Sequence, residues 1–208
     1  MRRPVIVLAA AMALAPMAAS AQVCQGSFDV SIAPMSVGGQ LGFHDGANSY
    51  GAFFGLQTRS NWFGQAGIGQ LSPDGGDDVT VFALRGGREL TGLSLAQGKV
   101  KMCPAGLFEY ADGDGYSSSL LKAGVSLGGE LTKTPQVSMR PFAGASLARV
   151  GFEAGGFDDD EIGLMLDLGF GFVINQRWSI VPSLNLPLGM DFVDESFYIN
   201  VAYAFGKR

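Results

Sequence analysis

The sequence predicts an all-β fold: a closed antiparallel up-and-down transmembrane β-barrel of ten strands, with eight strands the main competitor. Three observations predict it. Large apolar residues recur at every second position over segments of about 10 to 14 residues, whereas soluble strands usually run about 5 to 6. The intervening positions are filled mostly with Gly, Ala and Ser, not with the Lys, Glu, Thr and Gln of a water-facing sheet. The connections between segments alternate between short and long, as they do in barrels that cross an outer membrane.

The chain has 208 residues, enough for one domain. Its first segment is set apart from the fold. Arg2 and Arg3 give a positive start, Val5 to Ala15 is nearly unbroken apolar sequence, and Ala19-Ser20-Ala21 is a small-x-small cleavage site. Together they read as a secretory signal peptide over residues 1–21, cut before Gln22, leaving residues 22–208 as a single barrel domain. The apolar run is shorter than the ~20 residues that a spanning helix needs. Cys24 follows Val23, where a lipid-attachment site wants a small residue.

Without Arg2 and Arg3 the basic count falls from 14 to 12 against 19 acidic residues, a net charge of −7. That balance argues against nucleic acid as a partner, because little would neutralise phosphates. Charged residues are 16% of the chain, against about 25% in typical soluble domains. Glycine contributes 31 residues, and no apolar run beyond the signal approaches the length of a membrane helix.

The alternation is clearest from Ile162 to Ile174. Ile162, Leu164, Leu166, Leu168, Phe170, Phe172 and Ile174 share one parity; Gly163, Met165, Asp167, Gly169, Gly171 and Val173 share the other. A period of two over such a stretch is a strand. After the turn Asn175-Gln176-Arg177 the pattern resumes, with Trp178, Ile180, Pro182, Leu184, Leu186 and Leu188 on one parity. Phe197 to Phe205 and Leu121 to Leu127 repeat it. Bulky residues suit lipid and small ones suit the crowded inside of a narrow barrel. A soluble periplasmic barrel, with the bulky face packed centrally, is the competing arrangement. In a membrane an open sheet edge would leave unpaired backbone groups in hydrocarbon, so the sheet must close.

Ten strands are predicted: Ser27 to Phe43 (broken at Pro34), Ser49 to Thr58, Trp62 to Leu71, Val79 to Gly87, Lys99 to Tyr110, Ser118 to Leu131, Gln136 to Phe152, Ile162 to Ile174, Trp178 to Leu188 and Phe197 to Phe205. Arg88 to Gln97 is left as a connection. Short turns at 59–61, 132–135 and 175–177 carry Arg59, Lys133 and Arg177. The longer connections are acidic or Gly-rich: His44 to Asn48, Ser72 to Asp78, Ala111 to Ser117, Glu153 to Glu161 and Gly189 to Glu195. Counting back from the C-terminus puts these at the cell exterior. Trp62 and Trp178 then start strands at the inner interface, as in an aromatic girdle, and Tyr50, Tyr116, Phe152 and Phe192 lie toward the outer rim.

The Arg140-Pro141-Phe142-Ala143-Gly144-Ala145 strand opening, the Asn175-Gln176-Arg177-Trp178 turn, the signal peptide and the aromatic-terminated last strand resemble the small outer-membrane β-barrels of the opacity-protein and outer-membrane-protein-A type. The resemblance covers essentially the whole mature chain. It implies residence in the cell outer membrane, with outer-membrane lipid and the outer-membrane assembly machinery as partners.

Charges on the inward parity are Lys99, Lys101, Glu109, Lys122, Glu130 and Asp167; the facing of Arg140 and Arg149 is left open by register. A buried charge needs a partner, so these are expected to pair across the lumen. Cys24 and Cys103, the only cysteines, are expected to form a disulfide in an oxidising compartment. The acidic clusters Asp74/Asp77/Asp78, Asp112/Asp114 and Asp158 to Glu161 match no spaced calcium loop and read as solvated surface. His44, the single histidine, with Asp45 and Ser49 has no nucleophile elbow near it. The expected protein is therefore a monomeric, non-enzymatic barrel without metal or cofactor, structural or surface-exposed in role, its lumen largely closed by ion-paired side chains. A small diffusion channel for small solutes is the alternative, and a lipid-modifying enzyme a third.

Overall fold

The computed structural model describes residues 34–206, apart from 59, 75, 96–99, 114, 135, 155–156 and 192. The signal segment, Cys24, Lys99, Arg59, Asp114 and Phe192 lie outside the described residues, as does the part of the first predicted strand before Pro34. The strands are β1 Met35–His44, β2 Ala47–Gln57, β3 Trp62–Pro73, β4 Val79–Arg88, β5 Leu90–Leu95, β6 Val100–Gly113, β7 Tyr116–Gly129, β8 Thr132–Lys133, β9 Val137–Ala154, β10 Phe157–Ile174, β11 Trp178–Leu188 and β12 Ser196–Phe205.

Ten of these are staves of one antiparallel ring. Each stave pairs with the next, and β12 pairs with β1 from Met35↔Phe205 to His44↔Ser196, which seals the wall. β5 carries the path of β4 onward past Glu89 along β6, and β8 pairs with the start of β9. Closure satisfies the backbone of every stave within the wall and leaves no long edge.

The alternation read in the sequence is the in–out alternation of the wall. On β10, Ile162 is 67% exposed while Met165 and Asp167 are buried. Leu84, Leu121 and Leu147 stand outward, more than half exposed. Toward the lower rim, where the short turns lie, Trp178 packs against Tyr203, Arg177 donates to the Tyr203 hydroxyl, and the Arg88 guanidinium lies 5.5 Å over the Trp62 ring. Toward the upper rim Phe43 stacks on Phe197, Tyr116 meets Phe152, and the Tyr50 hydroxyl donates to Gln70. Between the two girdles the outward parity is apolar or small.

The staves are staggered, as closure requires. A row followed across the hydrogen bonds therefore climbs the wall. Leu56, Gly64, Gly86, Gly106, Ala123, Leu147, Leu164 and Leu188 are successive partners. The row starts near the lower end of β2 and finishes at the upper end of β11.

Several boundaries differ from expectation. The connection placed at Arg88 to Gln97 is largely strand, because Glu89 only interrupts the path between β4 and β5. The upper hairpins run farther than the apolar pattern reaches. β9 and β10 pair as far as Ala154↔Phe157, so Asp158 to Glu161 belong to a strand and not to a loop. Pairing outlasts amphipathic patterning there because backbone hydrogen bonds need no apolar face. The first upper loop shrinks to the two-residue hairpin Asp45-Gly46, with Gly46 at φ 69°, so His44 ends β1 instead of standing in a loop. The lower turn Asn175-Gln176 has φ 50° and 58°, and Arg177 N donates to Ile174 O. Both central residues are left-handed, the geometry that matches strand twist in a tight hairpin.

Candidate functional site

The interior is built from the opposite parity. Where an aromatic crosses it, glycine makes the room: a Cβ on Gly38 would strike the Phe53 ring and the backbone of β12, and one on Gly169 would strike the Phe142 ring. Phe53 on β2 and Phe142 on β9 stand on opposite sides of the ring, five staves apart either way. With Val181 and Ala202 they form one buried apolar cluster. This cluster is a septum across the middle of the lumen.

Above the septum lies a polar chamber. Lys122 on β7 reaches over β9 to Asp167 on β10, Nζ to Oδ1 2.5 Å, with both side chains buried. The small inward residues of β9, Gly144, Ser146 and Ala148, leave the space beneath that bridge. Glu109 lies in the field of both Arg85 and Lys122. The chamber encloses about 310 Å³, and His44, Tyr198, Asn185 and Asn200 are among its walls. Its roof is the segment after β11. Met190 sits against Gly163 in an apolar cluster with Val150 and Met165, and Val193 packs on it. The Asp191 N–H donates to the Glu161 carboxylate at 2.8 and 2.9 Å, which ties the segment down.

Below the septum buried polar side chains and the apolar cluster of Phe63, Cys103 and Ala105 pack tightly. Lys101 Nζ lies 2.6 Å from Glu89 Oε1, and Arg140 Nη2 lies 3.5 Å from Glu130 Oε1. Glu89, Glu130, Arg140, Gln57, Ser126, Ser138 and Ser179 are all buried. Cys103 is 1% exposed and carries no free thiol; its expected partner Cys24 lies outside the described residues.

Of the charges expected inward, Lys101, Glu109, Lys122, Glu130 and Asp167 face the lumen, and Lys99 is outside the described residues. Arg140 turns inward. Arg149 turns outward and pairs with Asp160, Nε to Oδ2 3.1 Å. Sequence reading missed Arg85 and Glu89, although Arg85 shares the parity of Val81 and Ala83. It also missed the septum, whose signal is a lone aromatic on a small-residue parity: Phe53 among Ser49, Gly51 and Gly55, and Phe142 among Gly144 and Ser146. His44 Nε2 and Ser49 Oγ come within 3.2 Å, at the upper end of the lumen wall and on the face turned away from the exterior of the barrel. Asp45 does not join them. Among the described residues no cluster of ligating side chains holds a metal-binding arrangement.

The wall, its outward apolar belt and its two aromatic girdles define a fold class: the closed ten-stranded outer-membrane β-barrel. The chain matches no protein-family model and no curated relative. Among solved structures it is similar to the β domain of the Bordetella autotransporter BrkA, at 10% identity and TM-score 0.55, over 84% of this chain and 100% of that one. The likeness to BrkA is one of fold. The chain also aligns with the KdgM porin in complex with disordered oligogalacturonate (6% identity, TM-score 0.45, 82% and 99% covered) and with Neisserial surface protein A (14%, 0.40, 83% and 97%).

Proposed function

We propose that the protein is exported to the outer membrane and serves there as a monomeric, non-enzymatic barrel of structural or surface-exposed role, with a lumen closed at rest. The septum of Phe53, Ala202, Val181 and Phe142 is the observation that carries this reading. It supports closure because water and ions would have to cross an apolar barrier lying between the polar chamber and the packed lower lumen. The Lys122–Asp167 bridge above and the Arg140–Glu130 pair below add to it, since both consume charges that could otherwise line a pore. Single-channel recording in planar bilayers tests it. The refolded protein is expected to give no sustained conductance, and the double variant Phe53→Ala/Phe142→Ala discrete openings. Steady conductance of the unaltered protein would overturn closure and favour the second reading, a small diffusion channel, which the polar lining of the chamber above the septum supports.

A further inference from the structure

We propose that the climbing row on the outer wall is a docking groove for one anionic phospholipid of the inner leaflet, its phosphate held by Arg88. This rests on the membrane reading above. The groove is an apolar hollow on the exterior of β3, β4, β6 and β7. Gly64, Gly86, Gly106 and Ala123 form its floor and are direct cross-strand partners. Leu84, Phe108 and Leu121 stand along its upper side. With strands about 4.8 Å apart, the floor runs roughly 14 Å from first stave to last. It leads from the lower girdle toward mid-membrane, the course of an acyl chain that enters from the headgroup layer.

Two observations point to an occupant from outside. The first is steric. Several inward glycines are demanded by their neighbours: Cβ atoms on Gly38, Gly124 or Gly169 would collide with atoms of the wall or the septum. The floor glycines are not. A Cβ on Gly64 would meet nothing within 4 Å, and those on Gly86 and Gly106 would meet only one carbonyl oxygen each at 3.5 Å. Glycine weakens a strand, and nothing within the wall requires it at these three places. The second is charge. Arg88 stands just below the hollow, two residues beyond Gly86 on the same parity, and its cross-strand partner Trp62 is two residues before Gly64. Their rings and guanidinium are stacked, and no carboxylate among the described residues pairs with Arg88. In a chain with an excess of acidic residues, an arginine stacked on an interfacial tryptophan and left without an anion suits a phosphate diester, which guanidinium binds through paired N–H donors.

Trp62 is the reporter. The full-length mature protein carrying Trp178→Phe is refolded into phosphatidylcholine vesicles doped equally with brominated phosphatidylglycerol or with brominated phosphatidylcholine. Brominated phosphatidylglycerol is expected to quench Trp62 at least two-fold more. Arg88→Gln should equalise the two lipids, and Gly86→Leu, which fills the groove and leaves Arg88 in place, should cut the excess. Equal quenching before any further substitution would overturn the site. An excess that survives Gly86→Leu would overturn the groove as the seat of the acyl chain. No quenching by either lipid would overturn the membrane reading, and the site with it.

Discussion

The outer and inner faces of one strand obey opposite rules. On β10 the outward residues Ile162, Leu164 and Leu166 are bulky and in contact with the surroundings, while their immediate neighbours Gly163, Met165 and Asp167 are small, flexible or charged and enclosed. In a soluble sandwich the bulky set would be the enclosed one. The inversion identifies the surroundings as apolar and explains why the barrel keeps its ion pairs inside. It also separates two kinds of glycine. Gly38 and Gly169, facing the lumen, hold space for a neighbour's ring, whereas Gly64, Gly86 and Gly106, facing outward, hold space that nothing in the wall uses.

Substitutions matched across the wall sharpen that contrast. The largest effect belongs to Gly169→Leu, whose side chain would invade the Phe142 ring and the carbonyl of Pro182. Overpacking costs about 1–3 kcal/mol and sometimes more, and here backbone blocks relaxation. The expected outcome is failure to regain heat-modifiable gel migration after refolding. Next comes Asp167→Asn, which takes from buried Lys122 its hydrogen-bonded counter-charge and leaves it only the longer-range field of Glu109. Breaking a buried pair from one side costs about 3–5 kcal/mol, whereas replacing both partners with apolar residues is often near neutral. Urea unfolding in vesicles should therefore show Asp167→Asn well below wild type, and Lys122→Met/Asp167→Leu close to it. Equal losses in the two would show that the chamber is wet enough to solvate a lone lysine. The smallest effect is Gly64→Leu, on the outer face, where a side chain meets open space. A shift within about 0.5 kcal/mol, as for surface changes that touch nothing, is expected; a loss like that of Gly169→Leu would erase the distinction between the two glycine classes.

The sequence made the wall legible because each stave repeats one local rule. Parity alone placed Lys101, Glu109, Lys122, Glu130 and Asp167 on the lumen side. What escaped was whatever depends on the ring being closed. Phe53 and Phe142 are far apart in the chain and meet one septum only because β2 and β9 face each other. Arg140 and Arg149 could not be assigned until the register of β9 was fixed, and they turned out to face opposite ways. Glu89 was hidden because it breaks the alternation where β4 passes into β5. The hairpin of β9 and β10 ran on past its apolar pattern, since pairing in water leaves no hydrophobic trace. Meanwhile the roof formed by Met190 and Val193 has no periodicity to betray it.

Spin-label accessibility along Leu164 to Leu168, one nitroxide at a time in protein whose two native cysteines are replaced by serine and that has been reconstituted in bilayers, tests the inversion most directly. Labels at Leu164, Leu166 and Leu168 should collide freely with dissolved oxygen and little with an aqueous nickel chelate, while labels at Met165 and Asp167 should be shielded from oxygen. Oxygen accessibility peaking at Met165 and Asp167, or chelate collisions at Leu164 and Leu166, would contradict a barrel whose bulky face meets lipid.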